Sequence, residues 1–123
     1  MLGDKSNRFL TERGTIQYAV PVAIGARGNI GKAVPVEDVE NVRLMIVNKG
    51  PDAFQGGRVQ GTSFGEDAAD AYWDDLTTGA SGIVALANGA KFSEVYQSKA
   101  YRFVRVQAFA AKAGTADVSW TGA

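Results

Sequence analysis

Apolar and polar residues alternate most clearly near the end of the chain. In residues 115–121 the apolar positions Ala116, Val118 and Trp120 would lie on one side of an extended strand and the polar positions on the other. Residues 101–110 also alternate, and one of their faces carries side chains small enough for a tight core: Val104, Val106, Ala108 and Ala110. A short glycine-containing turn separates the two segments, so the pattern predicts a terminal β-hairpin.

A second alternating segment runs from Thr15 to Ile24, and it predicts a strand with its apolar residues on one face. Pro21 cannot donate a backbone hydrogen bond, which favours an edge position or a bulge. Asn41 to Val47 is a compact apolar run that predicts a central strand, and the turn-forming residues 48–51 follow it.

The middle of the chain gives weaker signals. Gly57 to Phe64 predicts a strand in which Gly61 marks a bulge. Gly82 to Leu86 and Phe92 to Tyr96 predict two strands, joined as a hairpin by the turn dipeptide Asn88-Gly89.

Together these segments give about eight short strands separated by turn signals, which is typical of a sandwich or a small barrel. At 123 residues the chain has the size of one domain. We therefore predict an all-β, single-domain β-sandwich or jelly-roll-like fold over residues 15–123, preceded by an extended N-terminal arm at residues 1–14. The alternatives for the arm are a disordered terminus and an anchor on a neighbouring subunit.

Composition argues against several classes of function. The chain has no cysteine and no histidine, so it cannot form disulfides or thiolate zinc sites, and it lacks the usual general base near neutral pH. Hydrolases and metalloenzymes are therefore poor candidates, and we expect no catalytic residue, cofactor or metal. No apolar run approaches the roughly 20 residues of a membrane span, and residues 1–14 lack the apolar core of a signal peptide, so we expect a soluble protein.

Basic and acidic residues balance at 13 each, which argues against nucleic acid or an anionic membrane as a partner. Their distribution along the chain is uneven. Residues 1–34 hold five basic and two acidic residues, residues 35–75 three basic and nine acidic, and the remainder five basic and two acidic. Such segregation favours association of identical copies in a fixed orientation, unless folding interleaves the segments into a mixed surface.

The acidic segment from Gly65 to Leu76 is the one place where alanines favour a helical turn or two. Its five carboxylates fit a solvated acidic loop, with a weak cation site or a pair of carboxylates for glycoside hydrolysis as alternatives. Trp73 in this segment and Trp120 near the end of the chain predict core packing, and the alternative for either is a platform on which a sugar stacks.

Two groups of residues are candidates for contacts with other macromolecules. The second face of the segment 101–110 is aromatic and carries an arginine, the composition enriched at protein interfaces, unless the strand is covered on both sides by its own chain. The N-terminal arm has one adjacent apolar pair and a nearby arginine. The interface candidates are Phe9, Leu10 and Arg13 on the arm, and Tyr101, Phe103 and Arg105 on the strand.

Several stretches of the second half carry a family resemblance: Trp73 to Leu76, Ser81-Gly82, Asn88-Gly89, YRFVRV at 101–106 and ADVSWTG at 116–122. In these the chain resembles the small β-sandwich modules of tailed-bacteriophage virion proteins, and it is most similar to capsid decoration (cement) proteins.

The resemblance implies a non-enzymatic structural protein on the capsid surface, made in the cytoplasm of the bacterial host. Its implied partners are the major capsid protein and copies of itself as a homo-oligomer, with no nucleic acid and no membrane. The alternatives are a tail-tube, tail-terminator or head-tail connector subunit, and a carbohydrate-binding module that stacks sugars on Tyr72 or Trp73.

Overall fold

The computed structural model describes residues 14–37, 39–76 and 85–122, and its regular structure is almost entirely β. The described residues form one 3-10 turn, at Asp70–Tyr72, and nine strands. The strands are β1 (Thr15–Pro21), β2 (Gly28–Asn29), β3 (Val34–Pro35), β4 (Asn41–Pro51), β5 (Gln55–Thr62), β6 (Asp74–Asp75), β7 (Lys91–Gln97), β8 (Phe103–Phe109) and β9 (Gly114–Gly122).

The strands form two antiparallel sheets. The four-stranded sheet has the order β1-β9-β4-β7, and the five-stranded sheet has the order β2-β8-β5-β6, with β3 also paired to β8. Since β2 and β3 follow one another along the same edge of β8, they act as one interrupted strand. Counted in this way, the sheets have the orders 1-8-3-6 and 2-7-4-5, which is the double Greek key of a jelly roll. The predicted all-β sandwich is confirmed.

One hydrophobic core lies between the two sheets. Every second residue of the central strands faces inward, as the period of a strand requires. The largest fully buried side chains of the core are Trp120, Phe54, Ile30, Leu44 and Ile46. Each buried side chain of this size contributes about 1.5–3 kcal/mol relative to an exposed one. The inward face predicted for residues 104–110 is confirmed, because Val104, Val106, Ala108 and Ala110 all belong to this core.

The predicted terminal hairpin is wrong. β8 and β9 are both strands, but β8 lies in the five-stranded sheet and β9 in the four-stranded sheet. The connection at residues 110–113 therefore crosses from one sheet to the other, and the apolar faces of the two strands contribute to the same core. Alternation identifies a strand and its inner face, but it does not identify the neighbouring strand.

β1 is an edge strand, as Pro21 suggests, but its apolar residues do not share one face. The register on β9 shifts between Gln17 and Val20, where Ala19 has a positive φ of 52°. Because such a bulge reverses the alternation, Ile16 and Tyr18 are exposed whereas Val20 packs against the core.

Three weaker predictions also change. Residues 48–51 continue β4 through a register shift instead of ending it in a turn. The segment from Gly65 to Leu76 has only the 3-10 turn and the short β6, because its alanines face solvent and no apolar stripe packs a helix onto the sheet. β7 pairs with β4, and Ala85 and Leu86 lie outside the strands, while residues 82–84 lie outside the described residues.

Candidate interaction surfaces

The outer face of the five-stranded sheet carries a network of polar side chains. Gln107 donates to Asn29 at 2.7 Å and accepts from Nε of Arg58 at 2.7 Å. On the same face, the side-chain amide of Gln60 donates to the Asp75 carboxylate at 2.9 Å. Partial burial, and then the charge of Arg27, lower the pKa of the Arg58 guanidinium. Networks of this kind hold side chains in one arrangement when their members are paired.

Arg105 occupies the centre of this face, and its side chain is buried. Its Nε and Nη2 both donate to Oε1 of Gln60, at 2.9 and 2.7 Å, and Nη2 also donates to Oδ1 of Asp70 at 3.1 Å. The guanidinium carbon lies 4.1 Å from the ring centroid of Trp73. Arg105 is 5% exposed and Trp73 6% exposed, so each covers the other. Trp73 is thus buried as predicted, but on the outer side of the sheet instead of in the core.

The loop at residues 63–73 folds over this face and is tied down at several points. The Trp73 indole N–H donates to the Ala68 carbonyl at 2.9 Å, and the Thr62 hydroxyl donates to the Tyr72 carbonyl at 2.7 Å. The loop presents two aromatic side chains to solvent, Phe64 and Tyr72, each 55% exposed, with ring centroids 4.7 Å apart. The charge pattern predicted an acidic loop here and did not identify the pair, although two aromatics in an acidic, glycine-containing loop were a usable signal.

The interface candidates on β8 and just before it are only partly accessible. Tyr101 and Phe103 are half-buried, and Arg105 is buried as described. The Tyr101 ring covers the backbone of Gly61, and its hydroxyl donates to Oδ2 of Asp74 at 3.3 Å. Burial, and then the Asp74 carboxylate, raise the pKa of Tyr101. Whether these residues contact a partner stays a prediction, and Phe9, Leu10 and Arg13 lie outside the described residues.

Among the described residues, no segment covers the outer face of the four-stranded sheet, which we call the open face. Across its width the register places Ile16 beside Ser119, Ser119 beside Met45, and Met45 beside Ser93. Exposed apolar side chains stand on both edge strands, namely Ile16 and Tyr18 of β1 and Val95 of β7. Between them lie Ser119 of β9 and the half-buried Met45 and Val47 of β4. None of the described loops is hydrogen-bonded across this face, in contrast to the 63–73 loop on the opposite sheet.

The loops at the two ends of the sandwich differ in charge. At one end, the described residues of the loops spanning 36–40, 63–73 and 98–102 carry five acidic side chains (Glu37, Glu40, Glu66, Asp67 and Asp70) and two basic ones (Lys99 and Arg102). We call this the acidic end. At the other end, Arg27 and Lys112 of the loops and Lys49 and Lys91 of the adjoining strands outnumber the acidic Asp52 and Asp117. We call this the basic end.

Among the described residues, no three acidic side chains converge as ligands for a metal ion. Nor does that part of the chain contain a helix long and apolar enough to cross a membrane. Comparison with models of protein families, with curated protein sequences and with solved structures gave no match to this chain.

Proposed function

We propose that the chain is a non-enzymatic structural protein of a tailed-phage virion, and that it decorates the capsid by binding the shell through the open outer face of its four-stranded sheet. The observation that carries this proposal is the contrast between the two sheets. One outer face is filled by a paired polar network under a loop, while the other exposes apolar side chains on both of its edge strands.

An exposed apolar surface on a sandwich of this size is a candidate contact surface, since scattered single residues are normal but a shared face of them is not. Ile16, Tyr18 and Val95 stand on one face, and the half-buried Met45 and Val47 of the central strand β4 lie on the same face between the two edge strands. Arg43 and Lys91 on the same face supply the polar rim that interfaces have.

The jelly-roll topology supports the role as an analogy, because viral capsid domains and lectins share it. A fold does not by itself identify a function, so the proposed function is assigned from the exposed surface of the four-stranded sheet. A protein that reinforces a shell needs contact area and shape and no reactive group. The absence of histidine and cysteine from the sequence agrees with such a role.

Binding to capsid shells tests the proposal, using shells assembled from the major capsid protein encoded in the same genome. We expect Ile16→Asp to weaken binding by roughly tenfold or more, because it places a charge in the contact. Ile24→Asp is the matched control. Ile24 is 52% exposed and Ile16 55%, but Ile24 forms an isolated bridge with Ala110, next to the five-stranded sheet. Co-sedimentation with an excess of shell sites measures both affinities.

Equal affinity of the natural chain and Ile16→Asp would contradict the assignment of this face. Absence of any binding to mature or expanded shells would contradict the function itself. Deletion of residues 1–13 tests separately whether the arm residues Phe9, Leu10 and Arg13 add to the affinity.

A further inference from the structure

Each end of the sandwich combines an exposed apolar side chain with an excess of one charge. At the acidic end, Phe64 and Tyr72 stand among Glu66, Asp67 and Asp70 in the same loop. At the basic end, Ile24 is 52% exposed in the loop that also carries Arg27. The two ends are therefore complementary in charge, and each carries an exposed apolar side chain.

The aromatic pair at the acidic end is held in place before any partner arrives. The backbone N–H of Phe64 donates to the Thr62 hydroxyl oxygen at 3.1 Å, and the same hydroxyl donates to the Tyr72 carbonyl at 2.7 Å. Thr62 thus fixes both members of the pair. A preformed contact of this kind loses little conformational entropy on binding.

The basic end is also fixed by its own hydrogen bonds. Nε of Arg27 donates to the Gly56 carbonyl at 2.7 Å, while the residue as a whole remains exposed. The Asp52 carboxylate accepts from the backbone N–H groups of Lys112 and Ala113, at 2.8 and 2.9 Å. These two hydrogen bonds occupy the Asp52 carboxylate. Among the described residues, no ion pair forms with Arg27, Lys49, Lys91 or Lys112.

We propose that a second copy of this chain binds head to tail, with the Ile24 loop of its basic end on the Phe64–Tyr72 pair of the acidic end. Two acidic ends or two basic ends would repel each other, so the charges select the unlike pairing. This contact uses the ends of the sandwich and leaves the open sheet face free, and it does not depend on the capsid-binding proposal.

Head-to-tail contacts are heterologous, because each copy offers one surface and uses the other. They close into a ring if the rotation between copies allows it, and they otherwise extend as a filament. A ring would agree with the alternative role as a tail subunit, and a short chain of copies would agree with a coat on a shell.

Complementation of two end variants tests the contact. Ile24→Asp leaves the acidic end intact, and Phe64→Lys leaves the basic end intact. For a head-to-tail contact each variant alone should self-associate at least about tenfold more weakly than the natural chain. A mixture should form a one-to-one dimer that grows no further, because only one intact contact is possible. Mass photometry and sedimentation of mixtures with distinguishable masses measure this.

Ionic strength gives a second readout. Raising NaCl from about 0.1 M to about 1 M shortens the Debye length from about 10 Å to about 3 Å, and we expect assembly of the natural chain to weaken accordingly. Ile16→Asp, on the open sheet face, is the control that should self-associate like the natural chain. If Ile16→Asp loses shell binding but not self-association, and Ile24→Asp does the reverse, the two proposals are established separately.

Four results would overturn the inference. The natural chain could remain monomeric at high concentration and low salt. One end variant could dimerise as well as the natural chain while the other does not, which would indicate an isologous contact between like ends. The two variants could also fail to form a mixed dimer although each remains folded by circular dichroism. Binding of glycans by the Phe64–Tyr72 pair in place of a second copy would likewise contradict it.

Discussion

Arg105 joins parts of the chain that are far apart in sequence. From β8 it reaches Gln60 on β5 and Asp70 in the 63–73 loop, and its guanidinium lies against Trp73. Because Arg105 and Gln60 are both buried, little water can replace the bonds between them, whereas the Asp70 side chain is 79% exposed. The aromatic pair proposed as a contact is carried by this loop, so Arg105 acts on that surface by positioning it.

We expect Arg105→Ala to lower the free energy of unfolding by about 2 kcal/mol, since hydrogen bonds to a charged group are lost and Gln60 is left buried without its partner. Arg102→Ala is the matched control. The ion pair of Arg102 with Glu37, at 3.1 Å, is about half exposed, so its loss should cost no more than about 1 kcal/mol. Urea denaturation measures both, and equal effects of the two substitutions would argue against a central role for Arg105.

Asp52 makes stability depend on pH in the acid range. Hydrogen bonds from the backbone N–H groups of Ala113 and Lys112 lower its pKa below the ordinary value of 3.8. The folded pKa is therefore below the unfolded one, so the stabilisation is complete above the unfolded pKa and is lost as pH falls through the folded pKa. The difference in unfolding free energy between the natural chain and Asp52→Asn should be constant from about pH 7 to 5 and shrink below about pH 4. A difference that grows towards low pH would contradict this.

At this scale the sequence predicted burial better than location. Trp73 and Trp120 were both predicted to be buried, but nothing in their spacing separates the core from the outer side of a sheet. Arg105 was identified from its aromatic neighbours in sequence, whereas its position under Trp73 arises from a loop that returns over the sheet. Contacts of that kind depend on tertiary structure, which local pattern does not encode.

Among the strands, β5 shows how a glycine can be needed for a close approach. Gly61 pairs regularly with Val104, and the register shift of β5 lies instead between Gln55 and Arg58. A Cβ at Gly61 would lie 2.7 Å from Cγ of Tyr101, too close for any real contact. The predicted bulge at Gly61 is therefore wrong, and the residue is a glycine because an aromatic ring packs flat on the strand.

We expect Gly61→Ala to destabilise the fold by about 1–3 kcal/mol, since it forces the Tyr101 ring outward. The same substitution in a Tyr101→Ala background should cost much less, because the ring is gone. Gly65→Ala is the control, as a Cβ there would meet nothing within 4 Å. Thermal or urea unfolding of the four variants gives the coupling between the two sites. An unchanged cost of Gly61→Ala without the ring would show that the strain has another source.

Long strands were predictable and short ones were not. β9 has alternating apolar residues and β4 contains a compact apolar run, so the existence of both strands and the inner face of β9 followed from the sequence. β2, β3 and β6 have two residues each, too few to show any period. In β1 the pattern itself misled, because a single bulge at Tyr18 and Ala19 exchanges the two faces of the strand.

The whole molecule has one core, with a second, polar layer on the outer side of the five-stranded sheet. Trp120 belongs to the core, whereas Trp73 lies in the outer layer beneath its loop. A domain of this size with a single core usually unfolds in one cooperative transition. The question for this chain is whether the outer layer unfolds with the core or before it.

We expect a single transition, because the 63–73 loop is tied to central strands through Arg105 and Thr62. In a Trp120→Phe variant the remaining tryptophan reports on the loop alone. Its fluorescence should change at the same urea concentration as the far-ultraviolet circular dichroism. An earlier change in fluorescence would mean that the loop is released while the sheets persist.

At the scale of the molecule, the uneven charge of the sequence proved informative. Of the eight described acidic residues in the segment 35–75, five lie at one end of the sandwich, while Asp74 and Asp75 belong to β6 and Asp52 lies at the other end. This could not be read from the sequence, because it depends on which loops share an end, and that follows from the order of strands in the two sheets. The proposed partners likewise depend on surfaces that exist only once both sheets are assembled.

The positions of β8 and β9 bear on how the protein is made. Each lies inside its sheet, β9 between β1 and β4, and β8 between β2 and β5, yet they are the last of the nine strands to leave the ribosome. Until β9 is made, β1 and β4 lack the strand that lies between them, and β2 and β5 lack β8 in the same way. Their apolar faces therefore stay partly uncovered during translation. Nascent chains should therefore be open to chaperones and proteases until β8 and β9 have been made, and products truncated before residue 103 should be degraded instead of accumulating.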